Sequence, residues 1–247
     1  MACPTRITNS SKRTAAKALD ASASAQHQGA AGAALLGYLS ELVDRKRHEP
    51  GDDLLSRLVT DHVATGALNH ATATMNGLIM LSAGHEITAS MISLGTLPLL
   101  EHPDAWRRLR DTDDPALIAN VVEELMRYLS VVHSLVDRVA LEDIIIGGQL
   151  VRAGEILLMN LPAGNWDTNF VDKPDGFDID RNTRGHLGFG YGVQQCLGQN
   201  LARTEMQIAF ATLARRLPEL RLGVPSEELE FQNEKEIYGI RELPVTW

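Results

Sequence analysis

The stretch Phe189-Gly190-Tyr191-Gly192-Val193-Gln194-Gln195-Cys196-Leu197-Gly198 decides the interpretation of this 247-residue chain. It surrounds a single cysteine with glycines, and a helix-like sequence follows it. Glycine allows positive φ angles and lets the backbone approach a flat ligand closely. The free N–H groups and the positive dipole end at the start of a helix stabilise an anionic sulfur. The stretch therefore favours a metal-bound thiolate at Cys196.

Other interpretations of Cys196 remain open on these grounds alone. It could be a buried structural cysteine in a glycine-rich turn. It could pair with His186 as a nucleophile, although nothing supplies the rest of a triad. A zinc site would need further soft ligands, and the sequence has no Cys-x-x-Cys pattern. The other cysteine, Cys3, lies in a polar N-terminal tail, so we expect no disulfide and a reducing cytoplasm.

Composition narrows the class of partner. The chain has 32 Asp and Glu against 23 Lys and Arg, a net charge of -9, which argues against nucleic acid or an anionic membrane as the main partner. The longest apolar stretch, residues 78–100, could span a bilayer by length. His85 and Glu86 lie near its middle, and an ionisable pair is costly in lipid. We therefore expect a helix that runs through a protein interior and no membrane.

The coarse pattern is mostly helical. Ordered structure is expected to begin near Ala33, after an Ala- and Ser-rich segment, residues 1–34, that reads as low-complexity or frayed. The periodicity, caps and turn residues then predict these elements: a helix stopped at residues 49–51, a second capped by Asp52 or Asp53, a long helix over 71–97, helices opened by Pro103 and Pro115, a hairpin at Gly147-Gly148, a strand over 155–160, a loop over 161–195, a helix over 197–216 and short strands in the tail. The predicted fold class is mainly α with small β-sheets.

Residues 186–203 resemble the haem loop and the following helix of cytochromes P-450. The shared pattern is Phe-Gly-x-Gly, three residues, then Cys-x-Gly. The resemblance extends over residues 35–247 and is strongest to soluble bacterial members of actinomycete type. It implies the C-terminal, haem-binding part of that fold, with Cys196 as the iron ligand of haem b. It further implies cofactor contacts from the loop and its flanks, at His186, Phe189, Gly190, Gln194, Cys196 and Gly198.

Two further motifs support the resemblance. Glu124 and Arg127 lie three residues apart on one predicted helix, so they can pair. They resemble the family's Glu-x-x-Arg motif, with Arg181 as third partner, and this implies a network that braces the Cys196 loop. Arg138 resembles the arginine that binds a haem propionate, for which its geometry is suited. Without the resemblance, these residues would read as a surface ion pair and a surface arginine.

A third motif lies within the long helix. The stretch from Ala83 to Thr88 resembles the family's oxygen-activation motif, which makes Gly84, Glu86 and Thr88 the candidate catalytic residues. The family places a threonine after the acid, but here that position is Ile87, which has no hydroxyl. Thr88 lies roughly 100° further round the helix and cannot simply replace it. We expect poor coupling of electron input to product.

Two more departures concern the cofactor. Gln194 stands where the family usually has His or Arg facing a propionate, and glutamine carries no charge. The family's N-terminal part has no counterpart in residues 1–34. We expect the proximal side of the haem to be built here, with its remaining surface open to water and its affinity reduced.

The resemblance implies a monooxygenase that uses O₂ and a small organic substrate. The sequence has no flavin or iron–sulfur motif, so electrons are expected from a ferredoxin and its NAD(P)H-dependent reductase. Candidate pocket residues, for which core packing is the alternative, are Leu78, Met80, Leu81, residues 129–133 and Tyr238. The alternative function is a truncated, catalytically impaired relative that acts as a helper or interaction protein, or an inactive fragment.

Overall fold

The structure is a computed structural model that describes residues 25–133, 136–233 and 237–247. The expectations for Cys3 and for most of the N-terminal segment lie outside these residues. The chain divides into two compact units between His85 and Glu86, within one long helix. Each unit has buried apolar residues of its own.

The first unit contains α1 (Ala25–His48), α2 (Leu54–Leu58), one π-helical turn (Val59–Val63) and the first half of α3 (His70–Glu101). Helix α1 is already formed at Ala25, so the expected start near Ala33 is too late. The reason is that its first turns are rich in alanine, which has high helix propensity without apolar periodicity. Asp53 caps α2 as expected, since its side chain accepts from Ser56 N at 2.9 Å.

The second unit holds the remaining helices: the second half of α3, α4 (Pro103–Asp111), α5 (Pro115–Leu129), α6 (Leu161–Asn165) and α7 (Gln199–Arg216). Helix α3 continues through Pro98, beyond the predicted end, because the residues on either side, Leu97 and Leu99, are buried. The predicted loop after residue 160 opens with α6, which Asn160 caps through Ala163 N at 3.0 Å.

Three small antiparallel sheets complete this unit, as the mixed pattern predicted. Strand β1 (Asp137–Val139) pairs with β4 (Ile156–Leu158), and β2 (Ile144–Ile146) pairs with β3 (Gln149–Val151). The β2–β3 turn has φ angles of 56° at Gly147 and 82° at Gly148, which glycine adopts at little cost. In the tail, β5 (Arg221–Leu222) pairs with β6 (Val245–Thr246).

The core of the second unit lies where α3, α5 and α7 meet. Leu94, Leu125 and Phe210 are fully buried there, and burying such a side chain stabilises a fold by roughly 1.5–3 kcal/mol. A Cβ at Gly95 would lie 2.7 Å from Phe210 Cζ, so glycine permits the close approach of α3 to α7. This packing holds in place α3 and α5, the two helices that carry the candidate motifs.

Helix α3 is buried only in part. Met91, Leu94, Leu97 and Leu99 are buried as expected, whereas Met75, Ile79 and Met80 are exposed. By length and composition, α3 could also cross a membrane, with a mean hydropathy of 1.2 and 17% of its most apolar window buried. The core helix of a soluble protein can pass the same test. The prediction that this helix runs through a protein interior is therefore confirmed only for the last turns of α3.

Candidate functional site

The loop around Cys196 is shaped by its glycines. Gly190 and Gly192 have φ angles of 73° and 72°, in the left-handed region that other residues rarely adopt. The backbone then makes a 3₁₀ turn over Gly192–Gln194. It returns so that Cys196 N donates to Phe189 O at 2.9 Å. This closed loop holds the cysteine at a defined place on the surface of the unit.

The thiol of Cys196 is free and exposed. Three largely apolar side chains near it in the chain are almost wholly exposed among the described residues: Tyr191, Val193 and Leu197. Among the residues that the structure describes, no three of His, Cys, Asp or Glu come together to hold a metal ion. A single thiolate on an apolar loop suits an iron whose other ligands come from a flat macrocycle, so these residues fit haem.

The start of helix α7 differs from the prediction. The helix begins at Gln199 and its N-cap is Gly198, so Cys196 precedes the cap by two residues and does not itself open the helix. A Cβ at Gly198 would lie 3.9 Å from Cys196 Sγ, an ordinary contact, so its packing against the sulfur does not require glycine. The two intervening residues form a turn, because the chain must rotate from the loop into the helix axis.

Phe189 supports the loop from below. It is 9% exposed and belongs to the core cluster, and the Arg203 guanidinium lies 4.4 Å from its ring centroid. Gly188, next to it, permits a close approach, since a Cβ there would lie 2.7 Å from Met126 O. Gly188 therefore lets the loop seat directly on α5.

His186 is bound on both sides of its ring by the protein. Its side chain is 2% exposed, Nε2 lies 3.0 Å from Glu123 Oε2, and Nδ1 accepts from Gly188 N at 3.0 Å. Both ring nitrogens are thus occupied by the protein. His186 braces the loop through both nitrogens, and the cofactor contact that the resemblance implies stays a prediction that does not involve a hydrogen bond from the ring.

The predicted Glu-Arg network is present and buried. Arg127 Nε and Nη2 each donate to Glu124 at 2.8 Å, and both side chains are fully buried. Arg181 Nη1 lies 3.5 Å from Glu124 Oε1. The remaining Arg127 donors bind three backbone carbonyls, those of Asn165, Pro174 and Gly176. The network fixes the segment that precedes the Cys196 loop.

Asn165 carries this bracing into the loop. Its Oδ1 accepts from Leu187 N at 2.6 Å, and its Nδ2 donates to Ser130 Oγ at 2.5 Å. The residue is fully buried. The sequence offered no signal for it beyond its place in an Asn- and Gly-rich segment.

Glu123 is a second functional residue that the sequence did not predict. Its carboxylate accepts from Arg203 Nε at 2.6 Å and from Arg203 Nη2 at 3.1 Å, besides its contact with His186. Burial by itself would raise the pKa of Glu123, but hydrogen bonds from His186 and Arg203 and the charge of Arg203 lower it from 4.5 to about 2. Its only sequence signal is its position next to Glu124.

The other candidate residues lie on separate elements. Arg138 is on β1, opposite Leu157, with its guanidinium exposed and Nη1 donating to Asp137 O at 2.8 Å. Gln194 is exposed at the end of the 3₁₀ turn. Both remain available to a ligand.

The oxygen-motif residues lie on α3, which is helical from His70 to Glu101. Gly84 is exposed, and nothing described lies within 4 Å of the position of a Cβ there. Glu86 and Thr88 are half-buried. Ile87 packs against the core cluster of the second unit. The Gly84 backbone is therefore ordinary helix.

A cavity of about 420 Å³ opens beside β1. His133, one of the predicted pocket residues, lines it, and the His133 ring stacks on Tyr238 with centroids 4.9 Å apart. The other lining residues lie in or next to β1, β4 and the start of α6: Val136, Asp137, Leu158, Met159, Asn160 and Pro162. One of the lining residues, Asp137, is the neighbour of Arg138 in the chain.

A family model and several known proteins are similar to this chain. The family model described as Cytochrome P450 matches residues 37–237. Cytochrome P450 GfsF from Streptomyces halstedii is 49% identical over 212 residues, which are 85% of this chain and 51% of that protein. The 20-oxo-5-O-mycaminosyltylactone 23-monooxygenase from Streptomyces fradiae is 43% identical, over 86% of this chain and 50% of that protein.

Solved structures agree with the sequence relatives. The crystal structure of GfsF superposes with a TM-score of 0.92 and 43% identity, over 99% of this chain and 63% of that chain. The chain spans about half the length of the curated relatives that it matches.

Proposed function

The chain belongs to the cytochrome P450 family, and on that premise we propose that it serves as a haem-thiolate monooxygenase. Family members bind haem b through a cysteine thiolate, and the proposed ligand here is Cys196. The observation that carries the proposal is a free, exposed thiol on a glycine-shaped loop whose two flanks are tied to α5.

The protein's own part is to hold and orient the cofactor. The thiolate of Cys196 would bind the iron, the loop backbone at Gly190 would lie against the macrocycle, and Arg138 and Gln194 would donate to its propionates. Bound in this way, haem supplies the oxygen chemistry, in which one atom of O₂ enters a C–H bond or a double bond and the other leaves as water.

Glu86 and Thr88 are the proposed residues for proton handling. Both are half-buried on α3, where a carboxyl and a hydroxyl can pass protons inward. Gly84 leaves the helix surface open beside them. Ile87 contributes only apolar contact.

Electrons are proposed to come from a ferredoxin and its NAD(P)H-dependent reductase in the cytoplasm. The substrate is proposed to be a small organic molecule, a secondary metabolite or a xenobiotic. The cavity beside β1 is a candidate for part of its pocket, with His133 offering a polar group in it. The alternative, a helper or interaction protein, gains no support from the relatives, which are named as cytochromes and enzymes.

Titration of the purified chain with haemin tests the proposal. We expect Cys196-dependent binding, weakened because Gln194 replaces a cationic residue. The matched control is Cys196→Ser, which removes the sulfur and leaves the size of the side chain similar. Equal binding by the parent and by Cys196→Ser would overturn the assignment of the ligand.

A further inference from the structure

Glu123 contacts both flanks of the cysteine loop. It lies on α5, and it accepts from His186, which precedes Cys196, and from Arg203, which follows it on α7. These partners lie 63 and 80 residues further along the chain. One carboxylate therefore ties the loop together at its two ends.

The hydrogen bonds define the state of His186. Gly188 N donates to Nδ1 at 3.0 Å, so Nδ1 must carry a lone pair and not a proton. Nε2 therefore carries the proton and donates to Glu123 Oε2 at 3.0 Å. The required pair is a neutral imidazole and an ionised Glu123, and the low pKa of Glu123 keeps its carboxylate ionised at neutral pH.

Both partners of Glu123 converge on Phe189. Gly188, held by His186, is its neighbour in the chain, and the Arg203 guanidinium lies on its ring. Arg203 Nη1 also donates to Gln199 Oε1 at 2.8 Å, in the first turn of α7. The carbonyl of Phe189 accepts the N–H of Cys196. The contacts thus form a continuous path from Glu123 to the cysteine backbone.

We propose that Glu123 is the positioning residue for the sulfur of Cys196, acting through the tautomer of His186 and the orientation of Arg203. This proposal rests on the haem-thiolate function, in which the sulfur of Cys196 must be held where it can bind the iron of the cofactor. The buried Glu124–Arg127 pair, by contrast, holds the preceding segment. The Glu124–Arg127 network also reaches the loop, through Asn165 at Leu187 N, whereas Glu123 acts through His186 and Arg203, so mutations of the two acids remove different contacts.

The first test uses the chain without cofactor. In Glu123→Gln, the amide keeps one acceptor oxygen but loses the negative charge of the carboxylate that binds both Arg203 and His186. We expect the backbone N–H groups of Gly188 and Cys196 to exchange with solvent about tenfold faster, because a charged hydrogen-bond partner is lost. Nitrogen NMR should also show His186 no longer confined to the Nε2-protonated tautomer.

The matched control is Asp180→Asn. It removes a carboxylate bound to both terminal nitrogens of Arg108, an exposed pair in the same unit. We expect this variant to leave the two amides and the His186 tautomer as in the parent. If Glu123→Gln behaves like Asp180→Asn in both measurements, the proposal is overturned. General acceleration of all amides, core ones included, would equally overturn it, since the role would then be only structural.

A second readout follows haem loading. We expect Glu123→Gln to lose part of the thiolate-type signal in the reduced, CO-bound spectrum, and Asp180→Asn to retain it. If the parent chain binds no haem, the proposed function fails, yet the amide and tautomer measurements still decide the role of Glu123. An unchanged thiolate signal in Glu123→Gln would contradict the proposal.

Discussion

Glu123 and Glu124 are adjacent on α5, yet their carboxylates hold different segments. Glu124 faces inward to Arg127, with both side chains fully buried, while Glu123 faces the flanks of the Cys196 loop. Successive residues of a helix point about 100° apart, so neighbouring acids can serve two networks. The segment before the loop and the loop itself are thereby fixed to one helix.

Breaking the buried pair should be strongly destabilising. In Glu124→Gln, Arg127 keeps its charge in a site without solvent, and we expect the free energy of unfolding to fall by about 3–5 kcal/mol. Denaturant unfolding measures this. Asp180→Asn, which breaks an exposed pair, should cost less than about 1 kcal/mol. Equal losses in the two variants would show that burial of the pair is not what makes it important.

Acid should weaken the loop contacts through Glu123. Its pKa is about 2 in the folded chain, against an ordinary value of 4.5, so the unfolded chain binds this proton more tightly. The contribution is therefore present above pH 4.5 and is lost as the pH falls toward 2, with a size of about 3 kcal/mol. Unfolding measured across this range should be less pH-dependent in Glu123→Gln. Curves of identical steepness would contradict the prediction.

Much of the fold was predictable because it depends on local signals. Pro103 predicted the start of α4, Asp114 with Pro115 predicted that of α5, and paired glycines predicted the β2–β3 turn. Helix α1 was misjudged because alanine alone gives propensity without periodicity. The predicted end of α3 lies too early in the chain, because the burial of Leu97 and Leu99 outweighs the effect of Pro98.

The site was predictable only where the chemistry is local. Cys196 and its glycines are contiguous in sequence and form a recognisable pattern. Glu124 and Arg127 were predictable because they lie three residues apart on one helix face. Glu123 and Asn165 were missed, because their partners are distant in sequence and their residue types are ordinary. The partners of the His186 ring nitrogens could not be predicted for the same reason, since Glu123 lies 63 residues away in sequence.

Two glycines on α3 should respond in opposite ways to alanine. Gly95→Ala would place a Cβ 2.7 Å from Phe210 Cζ, so we expect a loss of about 1–3 kcal/mol through overpacking. Gly84→Ala meets open space among the described residues and should stabilise the helix by about 0.5–1 kcal/mol. Thermal unfolding of both variants tests the packing of α3. Similar shifts for the two would contradict the account of α3–α7 contact.

Ile87→Thr restores the hydroxyl that the family pattern places after the acid. Because Ile87 packs against the core, we expect a stability cost of about 1 kcal/mol. If the chain turns over, less peroxide should be released per NADPH consumed, since proton delivery improves. Thr88→Val, which removes the neighbouring hydroxyl proposed to handle protons, should not lower peroxide release. No change in peroxide release by Ile87→Thr would rule out the explanation of poor coupling.

The most direct test of the central claim is the reduced, CO-bound absorption spectrum of the purified chain after haem loading, beside Cys196→Ser. We predict a thiolate-type Soret band in the parent that is lost in Cys196→Ser. Absence of any haem signal in the parent, or the same band in both proteins, would contradict the assignment of Cys196 as the haem ligand.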